Sequence, residues 1–274
     1  MTYGDYSAID AVNWSTLQNM RDSALHYRYR LGAPREDTAA LALGRVTHAL
    51  VFEPDTFARD FAIYEGGDRR GKAWEAFKAE HTGMTIFKPN EVDAAVAMAE
   101  AVRRHPLVQP YLGGGAFEQT ITWTDRETGL RCKARPDWTV AQTRVLLDLK
   151  TTRCADGRRF GASAARYGYH CQLAHYAMGV EAALGWKPWR VLLVAVESMA
   201  PHDLSVFELD NDVLYAGREE VLSLLIKLSY HRESDTWPGR YEEEQALQLP
   251  AWIFGDEDGD ENPADLGLTF GSEP

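Results

Sequence analysis

Residues 135–138 read Arg-Pro-Asp-Trp, and eleven residues after Asp137 comes Asp148-Leu149-Lys150. In a β-strand successive side chains alternate faces, so Asp148 and Lys150 share one face and Leu147 and Leu149 the other. Val145, Leu146 and Leu147 give this strand an apolar context that two ionised groups interrupt. Taken alone, Asp-x-Lys is an ordinary ion pair on a half-exposed strand. Preceded by Pro-Asp at this distance, it becomes a place where two carboxylates and an ammonium converge, provided that Asp137 stands on the neighbouring strand. Buried opposite charges without a task are costly. Hard carboxylate oxygens hold Mg²⁺ or Mn²⁺, a bound divalent ion activates water and neutralises developing charge, and a lysine steadies an attacking hydroxide or a phosphate. The chemistry this suits is phosphodiester hydrolysis.

Four further residues are ambiguous one by one. His48 lies in an apolar helical stretch and by itself reads as a satisfied core histidine. Glu118 opens Glu-Gln-Thr-Ile-Thr-Trp and by itself reads as a solvated edge charge. Gln172 and Tyr176 stand four apart, on one face of a helix. Arg28 in a first basic stretch, and Arg69 and Arg70 in a second, are candidate phosphate contacts.

The elements that must position these groups follow from periodicity. Helices are expected over Ser15–Leu31, with Ser15 as N-cap, and over Thr38–Phe52, stopped by Glu53-Pro54. A polar helical stretch at Asp68–Gly83 and a helix over Glu91–His105 follow. Strands are expected at Glu118–Trp123, Leu130–Val140 and Arg144–Thr151, forming an antiparallel meander. A helix over Ala162–Leu184, strands at Trp189–Glu197 and Asp203–Leu209, and a helix over Asn211–His231 complete the order. The fold class is α/β, with helices at the N-terminal side.

Bulk properties set limits. The chain has 274 residues, and 41 acidic against 29 basic side chains give a net charge of -12. Ten of the acidic residues, and no Lys or Arg, fall after residue 240; the rest stand at 31 against 29. The body is near neutral, and a local basic groove is compatible with it. Residues 241–274 are expected to be an acidic, disordered tail behind a single domain at 1–240. Three scattered cysteines give no disulfide framework, no zinc pattern and one ligand too few for an iron–sulfur cluster. With no apolar run of about 20 residues and no signal-like N-terminus, a cytoplasmic protein is expected. No Gly-x₄-Gly-Lys-Ser/Thr stretch is present, which argues against an ATP-driven enzyme.

Together Gly44-x-x-x-His48, the Glu118 strand, Arg-Pro-Asp-Trp at 135–138, Asp-Leu-Lys-Thr-Thr at 148–152 and Gln172-x-x-x-Tyr176 resemble the PD-(D/E)XK nuclease superfamily. The likeness is greatest to the exonuclease VIII (RecE-like) branch of phages and prophages, over roughly residues 10–235. That resemblance implies a restriction-endonuclease-like core at 115–232, with a central mixed sheet flanked by helices, behind a helical extension at 10–110. It implies metal ligation by His48, Asp137, Asp148 and the Leu149 carbonyl, with Lys150 catalytic. Glu118 would support the site, and Gln172 and Tyr176 would contact DNA or hold the lysine and phosphate. It further implies a magnesium-dependent, ATP-independent exodeoxyribonuclease acting on duplex DNA ends, 5′→3′, leaving 3′ single strands. The expected partners are a RecT-like single-strand annealing recombinase and further copies of the chain in a ring, trimer or tetramer. The alternatives are a structure- or sequence-specific endonuclease, or a non-catalytic DNA-end-binding protein, of the same fold.

Overall fold

The computed structural model describes residues 3–33 and 38–249. Most of the expected acidic tail, residues 250–274, lies outside the described residues, and residues 241–249 form neither helix nor strand.

Short helices α1 (Tyr3–Ala8), α2 (Trp14–Leu17) and α3 (Ala24–Gly32) lead to the longer α4 (Ala39–Phe52). The helix expected over Ser15–Leu31 is thus two helices joined by a 3₁₀ turn at Gln18–Arg21. Its N-cap is Asn13, whose side chain accepts the Thr16 N–H, and Ser23 restarts the chain by accepting the His26 N–H. A capping side chain in mid-segment competes with helix continuation. Helix α4 is capped by Thr38 and ends at Glu53, before Pro54.

There follow α5 (Phe57–Asp60), β1 (Phe61–Ile63), α6 (Gly71–Glu80), β2 (Thr85–Phe87) and α7 (Pro89–Arg104). Strands β1 and β2 pair in parallel. Helix α7 carries Pro89 in its first turn, and the Glu91 carboxylate accepts the Lys88 N–H at 2.7 Å, an N-terminal box that fixes where the helix starts.

The remaining elements are β3 (Ala116–Phe117), β4 (Ile121–Thr124), β5 (Arg131–Ala134), β6 (Trp138–Val140), β7 (Val145–Thr152), α8 (Gly157–Tyr167), α9 (Tyr169–Gly179), β8 (Arg190–Glu197), β9 (Leu204–Glu208) and α10 (Asn211–Ser234). The main sheet has the order β3-β6-β7-β8-β9, mixed because β7 and β8 run parallel and the other neighbours antiparallel.

The expected three-strand meander is corrected. Strands β4 and β5 form a separate two-stranded sheet, and β3, β6 and β7 make the antiparallel part of the main one. Two local features cause the split. Glu118 adopts a positive φ of 43° between β3 and β4, and Pro136, which has no N–H to give a ladder, separates β5 from β6. The helix expected over Ala162–Leu184 also divides, at Gly168, whose φ of 66° closes α8 and starts α9.

Alternation on β7 sorts the core. Val145, Leu147 and Leu149 enter one apolar cluster with Val46 of α4 and Met98 and Val102 of α7. Leu146 points the other way, into a cluster with Phe160 of α8 and Leu173 of α9. A third cluster joins the β4–β5 hairpin to Trp14, Leu17, Tyr27 and the Leu224, Leu225 and Leu228 face of α10. Asp148 and Lys150 continue the Leu146 face toward the C-terminal end of β7. No helix among the described residues is long and apolar enough to cross a membrane.

Candidate active site

Strand β7 is where the chemistry gathers. It is hydrogen-bonded to β6 with Trp138 opposite Leu147, so the next register position puts Asp137 opposite Asp148. The ladder ends there. Instead of a backbone carbonyl, the Asp137 side chain takes over: its Oδ2 accepts the peptide N–H of Leu149 at 2.8 Å. Asp137 and Asp148 are only 8% and 1% exposed, and Lys150 Nζ is in direct ion-pair contact with Asp148.

His48 arrives from α4. One turn earlier, Gly44 faces β7; a Cβ there would stand in ordinary van der Waals contact with Thr151 Oγ1, at 3.5 Å. His48 Nδ1 is then 3.5 Å from Asp137 Oδ2. The structure therefore brings His48, Asp137, Asp148 and Lys150 together.

The titration behaviour follows from this crowding. Burial, helped by the Asp137 charge, outweighs the pull of Lys150 and raises Asp148 to about 6. Burial works against ionised Asp137 too, but His48, Lys150 and the Leu149 N–H prevail and hold it below the usual carboxylate range. Burial would strip the proton from Lys150, yet Asp148 and Asp137 keep it on and raise the ammonium. His48 is raised likewise, the Asp137 carboxylate overcoming desolvation. The two acids are thus pushed apart, the ordinary outcome for close buried carboxylates.

Glu118 sits at the margin. Its Oε2 is 2.5 Å from Arg135 Nη2, and burial, ahead of the opposing Arg135 charge, raises its carboxyl. It does not open a strand, as expected from the sequence; it occupies the break between β3 and β4. Gln172 Nε2 donates to Tyr176 Oη at 2.9 Å. Tyr176 is half-buried, and desolvation with the charges of Asp148 and Asp137 raises its phenol.

The three arginines read as phosphate contacts are engaged elsewhere. Arg28 lies over the Trp237 ring, Arg69 pairs with Glu91 of α7, and Arg70 pairs with Asp68. One residue to which the sequence assigned no role, Tyr169, does reach the site, and Tyr167 packs on it. The Tyr169 ring centroid lies 5.2 Å from Lys150 Nζ, and Tyr167 stacks on Tyr169. The available signal was spacing: Tyr169 stands three residues before Gln172, on the same face of α9.

A second group of donor atoms, from His170, Cys171 and Glu220, falls within 4.8 Å. Arg21 fills it, with Nε 2.5 Å from Glu220 Oε1 and Nη2 3.3 Å from Cys171 Sγ. Burial, with Glu220, pushes the thiol up to about 12. It is a protonated bridge between the N-terminal helices, α9 and α10.

The residues of the main site fit a divalent cation. Asp148 Oδ1 is buried and has no hydrogen-bond partner among the described residues, and the surrounding donors are carboxylate oxygens and an imidazole nitrogen.

The model of a PDDEXK-like domain of unknown function (DUF3799) matches residues 14–250. The chain belongs to this PDDEXK-like family. Its mixed sheet flanked by helices is the fold of the PD-(D/E)XK nucleases. A crystal structure from Eubacterium rectale, named as a "Putative exonuclease", superposes with a TM-score of 0.61 at 13% identity, covering 94% of this chain and 98% of that one. A phage-related exonuclease from Haemophilus somnus 129PT aligns over 82% of this chain and 96% of its own at 14% identity, with a TM-score of 0.36. No curated protein matches the chain.

Proposed function

We propose that this PDDEXK-like chain is a divalent-metal-dependent exodeoxyribonuclease that degrades one strand of linear duplex DNA. The observation that carries the reading is the meeting of Asp137, Asp148, Lys150 and His48 at the β6–β7 edge. Asp137, Asp148 and His48, with the Leu149 carbonyl, would hold Mg²⁺ or Mn²⁺; when bound, the ion supplies Lewis-acid activation and charge neutralisation. The protein's own part is positional. Lys150, kept protonated by two carboxylates, presents an ammonium to the phosphate or to the attacking oxygen. Gln172 and Tyr176, joined by a hydrogen bond on α9, would contact DNA or hold the lysine and phosphate in place, and Glu118 with Arg135 stands at the margin.

Several supports favour the finer assignment. The ordered motifs resemble the exonuclease VIII branch, the Eubacterium rectale relative carries an exonuclease name, and the sequence has no nucleotide-triphosphate loop. On this reading the enzyme works 5′→3′ without ATP, leaves 3′ single strands, and operates in the cytoplasm as a homo-oligomer alongside a RecT-like annealing recombinase. The test is digestion of end-labelled linear duplex with Mg²⁺, with and without chelator, beside a covalently closed circle. Loss of the 5′ label from the linear form alone, abolished by chelator, is the expected result. Cutting of the circle would replace the exonuclease with an endonuclease, and no hydrolysis at all would leave a DNA-end-binding protein.

A further inference from the structure

We infer that Tyr167 and Tyr169 form a stacking shelf for one unpaired nucleobase of the DNA end, next to the phosphate held at Lys150. The inference rests on the nuclease reading and adds to it the form of the substrate.

The geometry is continuous from the charge outward. Lys150 Nζ lies 5.2 Å from the Tyr169 ring centroid. The Tyr167 and Tyr169 rings are stacked, 5.8 Å apart and inclined by 28°. Tyr169 is backed from below by Phe160, at 6.1 Å. Tyr167, at the outer end of the row, is 55% exposed. An exposed tyrosine at the end of a supported aromatic row offers an apolar face to an incoming ring. Nucleobases stack on such faces whatever their identity, because each has a π-surface.

The charge around the shelf is of the sign that DNA requires. Arg153, Arg158, Arg159 and Arg166 are all exposed, and among the described residues none of the four has an ion-pair partner. The Arg166 guanidinium lies 6.0 Å from the Tyr167 ring centroid. By contrast Arg21, Arg59, Arg69, Arg70, Arg135 and Arg190 each have a carboxylate partner. Four guanidinium groups without a carboxylate partner thus stand on α8 and the loop before it, where they would hold phosphates by charge alone.

A base reaches the shelf only by leaving its own stack. A paired terminal nucleotide keeps its base against its neighbour, so occupation of Tyr167 requires the end to fray by at least one pair. The shelf lowers the cost of that fraying and leaves the nucleotide's phosphate beside Lys150.

The test is a cycle of tyrosine against base. Cleavage is silenced with Asp148→Asn, and that protein and its Tyr167→Ala derivative are titrated with a short fluorescent linear duplex. Each duplex is prepared with an ordinary terminal nucleotide or an abasic one, at the 5′ and at the 3′ terminus in turn. Removing the base at one of the two termini should weaken binding by roughly tenfold, a typical size for one lost base stack. Tyr167→Ala should weaken the ordinary duplex equally, show no further loss on the abasic one, and be rescued by Tyr167→Trp. Equal binding of ordinary and abasic ends at both termini, or losses from tyrosine and base that simply multiply, would overturn the shelf while leaving the nuclease reading intact. If none of these proteins, the Asp148→Asn parent included, bound duplex DNA, the reading beneath it would be overturned as well.

Discussion

The Asp137 carboxylate accepts the peptide N–H of Leu149 at 2.8 Å, in a place where a strand partner would normally supply a carbonyl. This residue therefore has two separable jobs. Asp137→Asn keeps a side-chain oxygen for the buried N–H and loses the charge; Asp137→Ala loses both. Chemical denaturation should show the asparagine variant near wild type and the alanine variant weaker by about 1–3 kcal/mol, the cost of an unsatisfied buried donor. DNA cleavage should be lost in both. Equal stability of the two variants would mean that the hydrogen bond contributes nothing.

Lys150 is predicted to act on the reaction and to offset charge in the resting protein. Lys150→Met should lower the cleavage rate by on the order of 10²–10³, the usual effect of deleting one stabilising donor. It also leaves Asp148 beside Asp137 without the ammonium that now contacts it. Asp148, already raised to about 6 by burial and by Asp137, should then rise further. Thermal melts in EDTA and in Mg²⁺ give the check: the ion should raise the melting temperature of Lys150→Met more than that of wild type. Identical shifts would argue that no cation sits between the carboxylates.

His175 should make stability depend on pH. It is completely buried, its Nε2 is 3.1 Å from the Lys133 carbonyl, and Nδ1 has no partner among the described residues. Burial lowers its folded pKa to about 4, against about 6.5 for an unfolded histidine. The folded value is the lower one, so the unfolded chain takes up the proton first as pH falls. This contribution is fully present above about 6.5 and is lost between there and about 4, at roughly 1.4 kcal/mol per pH unit. Denaturation midpoints of wild type and His175→Asn, compared across that window, should diverge at neutral pH and converge in acid. Parallel curves would contradict the neutral, buried imidazole.

Gly168 holds the turn between α8 and α9. Its φ is 66°, and a Cβ there would come within 2.6 Å of Arg21 Nη1 and 2.7 Å of the Trp14 ring. Gly168→Ala combines a left-handed backbone penalty of about 1–2 kcal/mol with overpacking. We expect a loss of roughly 2 kcal/mol or more in urea, together with reduced cleavage, because Tyr169 and Gln172 begin the helix this turn starts. An unaltered midpoint would show that Trp14 and Arg21 yield freely.

What could be read beforehand divides along physical lines. Asp137, Asp148 and Lys150 were legible because an ion pair set into an apolar strand is too costly to keep without a task. His48, Gln172 and Tyr176 were ambiguous one by one, and only the resemblance of the ordered motifs to the nuclease superfamily drew them to the site. The element order was legible because periodicity is a local property. The division of the meander was not, since Glu118 looks like any strand residue until its backbone takes a positive φ. Nor was the engagement of Arg28, Arg69 and Arg70, which depends on Trp237, Glu91 and a neighbouring aspartate being brought to them by the fold. The Tyr167–Tyr169 row needed the Gly168 turn, and a glycine within a helical pattern signals a break only weakly.

Strand β7 has a hydrogen-bonded neighbour on each side and an apolar cluster on each face. Asp148 and Lys150, two of the groups proposed to do the chemistry, are therefore mounted on the strand expected to open last. Amide protons from Leu146 to Leu149 should exchange with solvent only when the whole domain melts, whereas those of α8 should exchange through cheaper, local openings. On the proposed reading, Asp148 and Lys150 would stay in register until the domain unfolds, while the arginine-rich helix beside them would open at lower cost.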